Sequence, residues 1–276
     1  MIDDPINQRM AFANQLVHQA GTIAIASFRR PLSIAAIKQH DSKLQICCEL
    51  EIESFLHTAL RTEFPDDGWW GEETGKQPGT SAYTWLVDPI DGTTAFTMGK
   101  PTFTTTIALQ HHTTTIGGII YQPISKELIT ATLGKGCFCN GSPVRLHITS
   151  THLPHARICT NPPYMFKTLV QKNILLHIYD HTCAIEYGGD AYNYLLMATG
   201  YIDAIIACAE DPYDFAMAQP IVQEAGGILT DWQGRAITAG EQPSNILAST
   251  NPVLHNELVQ CIKHLSASQV PEKVTL

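Results

Sequence analysis

Apolar positions change their period twice along the chain. Between residues 5 and 27, Met10, Ala13, Leu16, Val17, Ala20, Ile23 and Ala24 recur at steps of three and four, the period of a helix with one buried face. A second helix is predicted over 48–63, closed by the turn residues Phe64-Pro65-Asp66-Asp67-Gly68. Beyond it, Trp69-Trp70, Trp85 to Val87, Phe103 to Leu109, Thr115 to Tyr121 and Leu128 to Thr132 are β-branched or aromatic runs broken by Gly, Pro and Asn, which predict a sheet with hairpin turns. After the turn-rich Gly134 to Ser142 and a polar stretch at 149–155, strands and helices alternate. Strands are predicted at Arg157 to Thr160, Ile174 to Tyr179 and Ile202 to Ala207, and helices over 163–172, 190–199, 214–225 and Pro252 to Leu265. Alternation of this kind marks an α/β unit with a largely buried sheet. The expected class is therefore α/β overall, with an α+β domain over 1–150 and an α/β domain over 151–276.

Composition narrows what such a chain does. Of its 276 residues 44% are hydrophobic and 16% charged, enough apolar surface for a sizeable core and too little bias for a disordered or collagen-like chain. Lys and Arg number 17 against 26 Asp and Glu, a net charge of -9, the wrong sign for nucleic-acid phosphates or anionic lipid. An acidic protein acting on an anion needs a cation between them, so the balance leaves room for a divalent metal. Asn14, Gln15, His18 and Gln19 interrupt the early apolar residues, Asp3 and Asp4 stand where a secretory leader is basic, and no apolar stretch approaches a bilayer's thickness. A cytoplasmic protein without a membrane partner is expected, its eight scattered cysteines reduced. His177 and His181 form an H-x-x-x-H pair that the pattern places in a strand, where this spacing separates the two rings.

The densest chemistry lies at Trp85-Leu86-Val87-Asp88-Pro89-Ile90-Asp91-Gly92-Thr93-Thr94. An apolar strand runs into two carboxylates three residues apart, with Pro89 restricting the backbone between them and Gly92 permitting positive φ just after. Such a turn aims Asp88, Asp91 and the Ile90 carbonyl into one small volume, which suits Mg²⁺ or Mn²⁺ better than Zn²⁺. The amides of Gly92 and Thr93 then open a short helix or turn able to receive a phosphate. Taken alone, Asp-Pro and Asp-Gly are also ordinary turn pairs. Gly71-Glu72-Glu73 follows the Trp pair at a strand end, from which one carboxylate can face the same crevice or the pair can sit in a solvated turn. Glu210-Asp211-Pro212-Tyr213-Asp214 opens a helix, where an acid also serves as a cap contributing about 1 kcal/mol.

Taken in order, Gly71-Glu72-Glu73, Asp88-Pro-Ile-Asp-Gly-Thr93, Gly134-Lys-Gly-Cys-Phe-Cys-Asn-Gly141, and Tyr213-Asp214 with Glu224-Ala-Gly-Gly227 and Asp231 resemble the inositol monophosphatase family of Mg²⁺-dependent phosphomonoesterases. The likeness covers nearly the whole chain and implies the layered αβαβα sandwich. Within the family, Tyr187-Gly-Gly-Asp-Ala-Tyr-Asn-Tyr194 and Pro212-Tyr-Asp-Phe215 resemble most the histidinol-phosphate phosphatase branch, which serves histidine biosynthesis. The resemblance implies a metal site of Glu72, Asp88 and the Ile90 carbonyl, a second of Asp88, Asp91 and Asp214, and room for a third ion on Glu72. It implies that Thr93 orients the attacking water with an acid of the second helix, that Gly92 and Thr93 bind phosphate, and that the protein is a homodimer. Asp190 is placed by it in the substrate pocket, with a helix cap the equal alternative.

Two departures bear on rate and substrate. The family's Val-Thr-x-x-Asp reads Gln45-Ile46-Cys47-Cys48-Glu49 here, so Glu49 stands as Thr93's partner with one methylene more, and a misplacement near 1 Å costs about 10²-fold in rate. Ala207 stands where the family commonly has a Glu that grips a substrate hydroxyl or amine, and Glu210 is the nearest substitute. The expected substrate is a small phosphorylated metabolite, L-histidinol phosphate first and inositol 1-phosphate second. A non-catalytic member that keeps metal and phosphate affinity is the alternative of another class.

Overall fold

Two long helices open the chain and cover one face of a sheet. In the computed structural model, which describes residues 4–30, 37–40, 43–146, 148–237 and 245–267, helix α1 spans Pro5–Ser27 and buries Met10, Ala13, Leu16, Val17, Ala20 and Ala24 on one stripe. The Asp4 carboxylate caps α1 by accepting from the Ile6 amide at 3.0 Å. A hairpin of β1 (Ile37–His40) and β2 (Lys43–Ile46) leads into α2 (Cys47–Glu63), whose buried face carries Ile52, Leu56 and Leu60 together with two acids, Glu49 and Glu53. Eight strands follow: β3 (Gly68–Gly71), β4 (Gly75–Gln77), β5 (Tyr83–Asp91), β6 (Thr104–His111), β7 (Thr114–Gln122), β8 (Glu127–Thr132), β9 (Gly136–Cys139) and β10 (Ser142–Val144). Their spatial order is β10-β9-β8-β7-β6-β5-β3-β4, antiparallel except for the parallel pair β3 and β5. The five-residue helix α3 (Thr93–Thr97) interrupts them after β5.

The second sheet is mixed. Strands β11 (Arg157–Thr160), β12 (Ala184–Tyr187), β13 (Ala204–Cys208), β14 (Ile228–Asp231) and β15 (Asn245–Ser249) lie in the order β12-β11-β13-β15-β14, the first three parallel and the last two antiparallel. Helices α5 (Tyr192–Ala198) and α7 (Ala218–Ala225) are sandwiched between the sheets, with the four-residue α6 (Pro212–Phe215) leading into α7. One core joins Ile120 and Ile129 of the first sheet to Leu195, Ile221, Val222 and Ala248. Helices α4 (Leu169–His181) and α8 (Pro252–Ala267) cover the outer face of the second sheet over Ile158, Ile206 and Leu247. The layers run α, β, α, β, α, the sandwich that the motifs imply.

Local signals miss the strands β9, β10, β12, β14 and β15, and they misassign two further segments. The helix expected over 163–172 and the strand expected at 174–179 are one helix, α4, preceded by a single 3-10 turn at Pro163–Met165. Thr168 caps α4 by accepting from Gln171, and Ile174 and Ile178 bury one stripe at a spacing of four, so the apolar run follows a helical period. His177 and His181 therefore do meet: their rings stack with centroids 4.0 Å apart. The helix expected over 214–225 breaks at Ala216–Met217 into α6 and α7.

Polar ties hold the layers in register. Arg9 of α1 donates twice to Asp67, each bond 2.8 Å, and the Trp85 indole donates to the same carboxylate at 3.1 Å. Glu224 of α7 accepts from the amides of Gly134 and Gly136, both at 2.8 Å, and so pins the turn between β8 and β9 to the middle helical layer. Gly118 of β7 lets that layer come close, since a Cβ there would lie 2.1 Å from the Met217 carbonyl oxygen. Gly118→Ala is therefore expected to push α7 off the sheet and destabilise the fold by about 1–3 kcal/mol, the usual range for overpacking. Urea unfolding measures it, and an unchanged midpoint would mean that the layers are free to separate.

Candidate functional site

The site grows from the end of β5. Asp88 pairs with Thr106 and Asp91 with Thr104, and the register slips between them, where Pro89 has no amide to give and its carbonyl accepts from Thr105 Oγ1 at 2.8 Å. The slip turns both carboxylates toward the same end of the sheet. Gly92 follows with φ 88° as the N-cap of α3, a conformation that suits glycine, and a Cβ there would lie 2.9 Å from Asp190 Oδ2. Beside β5, the parallel strand β3 ends at Gly71, and the Glu72 amide donates to the Val87 carbonyl at 3.1 Å. Carboxylate oxygens of Glu72, Asp88 and Asp214 thereby fall within 4.8 Å of one another.

Burial sets the electrostatics of this cluster. Asp88 is 2% exposed, and its Oδ1 has no hydrogen-bond partner. Desolvation first, then the charges of Glu72, Asp91 and Asp214, hold its carboxyl well above the ordinary range. Asp91 is raised in the same way by burial and by Asp190, against the opposing bond from the Ala191 amide to Asp91 Oδ2 at 2.5 Å. An orphaned, buried carboxylate oxygen facing other carboxylates is the donor set of a hard divalent cation, so the residues fit Mg²⁺ or Mn²⁺. Glu49 lies wholly buried behind Thr93: its Oε1 accepts from Thr93 Oγ1 and its Oε2 from the Ile46 amide, both at 2.7 Å. Burial pushes the Glu49 carboxyl up to about 8. The longer side chain is thus accommodated by a second bond to the end of β2.

The remaining predicted residues lie at the rim. Asp190 takes φ 43° and its side chain does not cap α5, whose N-cap is Ala191 with no side-chain bond, so the cap alternative falls away. Burial lifts its carboxyl to about 6. Glu210 Oε1 accepts from Asn161 Nδ2 at 2.7 Å, and both residues line a small cavity with Asp190 and Ala207. Asp214 Oδ2 accepts from the Asp211 amide at 2.8 Å, so this residue also shapes the start of α6.

Several supporting residues escape a reading of the sequence. Glu53 accepts from the amides of Glu73 and Thr74, both at 2.8 Å, and fixes the turn that presents Glu72; a Cβ on Gly71 would strike its Oε1 at 2.0 Å. Its place four residues after Glu49, on the face of α2 that buries Ile52 and Leu56, is the signal that could have found it. Thr104 donates to Asp91 at 3.3 Å, and Tyr194 lines the cavity. Tyr194 closes the motif that resembles the histidinol-phosphate branch, but nothing local gives either residue its role, which depends on which strand or helix lies opposite. Asp231, part of the quoted motif, binds Arg235 and the amides of Gln233 and Arg235 and closes a turn instead of entering the cluster.

Comparison with known proteins adds a frame. The model of the inositol monophosphatase family matches residues 6–267. The bifunctional phosphatase IMPL2 of Arabidopsis thaliana is 31% identical over 253 residues, 91% of this chain and 72% of that protein. The histidinol-phosphatase of Chlorobaculum parvum is 29% identical over 254 residues, 92% of this chain and 96% of the other. Among solved structures, an inositol monophosphatase from Zymomonas mobilis superposes with a TM-score of 0.83 at 28% identity, covering 94% of this chain and 99% of its own.

The raised carboxyls carry a pH dependence. Glu49 moves from an ordinary 4.5 to about 8 and Asp190 from 3.8 to about 6, so folding without metal takes up protons. Their protonated forms stabilise the metal-free fold fully below the ordinary values, and that contribution is lost as pH rises through about 6 and then about 8. Asp88 and Asp91 are raised in the same direction, and a divalent cation competes directly with protons for their oxygens. At Glu49 and Asp190, which it does not touch, its charge disfavours the proton only indirectly. Mg²⁺ is therefore expected to raise Tm more at about pH 8 than at about pH 5.5, as measured by thermal unfolding with EDTA and with Mg²⁺. Equal shifts at both pH values would remove the carboxylate cluster as the binding site.

Proposed function

The chain belongs to the inositol monophosphatase family of metal-dependent phosphatases, and from that premise we propose that it hydrolyses L-histidinol phosphate to L-histidinol and phosphate. The observation that carries the substrate is the second pair of acids, Asp190 and Glu210, lining a cavity next to the metal-ligand cluster. Histidinol phosphate carries an ammonium that such a wall attracts, whereas an inositol ring brings only neutral hydroxyls. Similarity to the Chlorobaculum histidinol-phosphatase supports the same substrate. Inositol 1-phosphate is the second reading, favoured by the likeness to the Zymomonas inositol monophosphatase. A homodimer and a cytoplasmic location belong to either reading; among the described residues, no helix is long and apolar enough to cross a membrane.

Glu72, Asp88 and the Ile90 carbonyl would hold one Mg²⁺, and Asp88, Asp91 and Asp214 a second. Bound there, such ions would lower the pKa of a water toward neutrality and would offset charge on the leaving oxygen. The chain's own part is placement. Thr93 Oγ1 donates its hydrogen bond to Glu49 Oε1, which leaves the hydroxyl oxygen turned to accept a hydrogen bond from the attacking water. The amides of Gly92 and Thr93, at the left-handed turn into α3, bind phosphate oxygens. Asp190 and Glu210 fix the alcohol end, and phosphoryl transfer of this kind needs alignment and charge neutralisation more than covalent help from the protein.

A substrate panel decides the function. Histidinol phosphate, inositol 1-phosphate and p-nitrophenyl phosphate are offered with Mg²⁺ and with EDTA, to the wild type and to Asp88→Asn. The expected outcome is EDTA-sensitive turnover with histidinol phosphate preferred, and none in Asp88→Asn. Preference for inositol 1-phosphate would shift the substrate within the family, and no turnover of any ester would favour the binding-only alternative. The Thr93–Glu49 pair has its own test. Thr93→Ala and Glu49→Gln should each lower kcat about 10²-fold or more, and the double variant should be scarcely slower than either, as residues acting as a unit behave. Losses that multiply fully would separate the two residues.

A further inference from the structure

The cavity that Asp190 and Glu210 share has about 10 Å³ of room, the space of one water. Most of its polar wall is already engaged. Thr160 Oγ1 donates to the Ile206 carbonyl at 2.6 Å, and Asn193 Nδ2 to the Gly188 carbonyl at 2.9 Å. Asn161 accepts from the Cys208 amide at 2.6 Å and donates to Glu210 at 2.7 Å. Tyr194 differs. It is 3% exposed, and its hydroxyl has no partner.

A buried hydroxyl without a partner destabilises a fold, and phenylalanine would fill the same place without that cost. The hydroxyl therefore needs a reason. Desolvation, then the nearby charges of Glu210, Asp91 and Asp214, hold the phenol well above its ordinary value, so it stays protonated and can donate to a carboxylate while its lone pairs remain open. Ala207, 5% exposed, lines the same cavity and brings only a methyl group to it.

An ammonium group matches this space in three respects. It is about the size of a water, it carries three donors and no acceptor, and it brings a positive charge to a wall that carries two carboxylates. An imidazole ring is too large for the space, and a sugar hydroxyl has no charge to offer. We propose that the cavity receives the primary ammonium of the substrate alcohol, with Tyr194 Oη accepting one of its hydrogens between the carboxylates of Asp190 and Glu210. This rests on the histidinol-phosphate reading and deepens it, making Tyr194 a specificity-determining residue and leaving the imidazole outside the cavity.

The test compares histidinol phosphate with 3-(imidazol-4-yl)propyl phosphate, the same ester without its amine, on the wild type and on Tyr194→Phe with saturating Mg²⁺. The wild type should favour the amine by more than about 100-fold in kcat/KM, and Tyr194→Phe should shrink that preference about tenfold or more, mainly through KM, since a hydrogen bond to a charged group is worth this much. Thermal unfolding of Tyr194→Phe should be no earlier than that of the wild type, because the unpaired hydroxyl is gone. Equal kcat/KM of the wild type on both esters overturns the inference while leaving the phosphatase intact. Equal proportional losses in Tyr194→Phe on both esters overturn it as well and make the residue structural. Turnover of inositol 1-phosphate with neither imidazole ester overturns the substrate reading and this inference together.

Discussion

Several carboxylates crowd one end of β5 and its surroundings, and the need to hold them there without water organises the architecture around them. Asp88 and Asp91 are buried, and Glu72 and Asp214 are half-buried beside them. Like charges at this spacing in a poorly solvated place repel strongly, and the raised carboxyls are the outward sign of that cost. A cation of charge two converts the same arrangement from a liability into a binding site. A metal-dependent phosphatase uses the arrangement in just this way, its anionic substrate being drawn to an acidic protein by the ions between them.

Three different elements present the four acids, so the cluster exists only when the layers are assembled. Glu72 comes from the turn after β3, held by Glu53 of α2; Asp88 and Asp91 come from β5; Asp214 comes from the start of α6. Asp91 also receives the Ala191 amide, which belongs to the middle helical layer against the second sheet. That single bond connects the metal-ligand strand to the segment that carries Asp190 and Tyr194. The acidic cluster and the segment of Asp190 and Tyr194 are thus joined through the packing of one helical layer against two sheets, and Gly118 shows how close that packing is.

The acids behind the site have a second task. Glu49 and Glu53 stand one turn apart on α2, both fully buried, and each takes its hydrogen bonds from a segment that leads into the cluster. Glu49 holds Thr93 and the end of β2, and Glu53 holds the turn of Glu72 to Thr74. A helix that elsewhere buries Ile52, Leu56 and Leu60 thereby positions two parts of the site at once. The extra methylene of Glu49 is compatible with this because the Ile46 amide takes up its other oxygen.

How much of this was legible follows from how local each feature is. The sequence by itself determined the helical stripe of α1, the strand-to-turn change at Asp88-Pro89-Ile90-Asp91-Gly92, and the order of acidic motifs, because periodicity, backbone restriction and residue chemistry are properties of neighbours along the chain. It misread residues 163–181, where a β-branched apolar run looks like a strand until packing against the second sheet selects the stripe of Ile174 and Ile178. Only the tertiary structure decided that Glu53 supports Glu72, that Asp190 faces Gly92 instead of capping a helix, and that Tyr194 reaches a cavity it shares with Ala207. These relations join positions tens of residues apart, and a side chain's partner across such a distance is fixed by which layers touch and how closely, information that no local pattern carries.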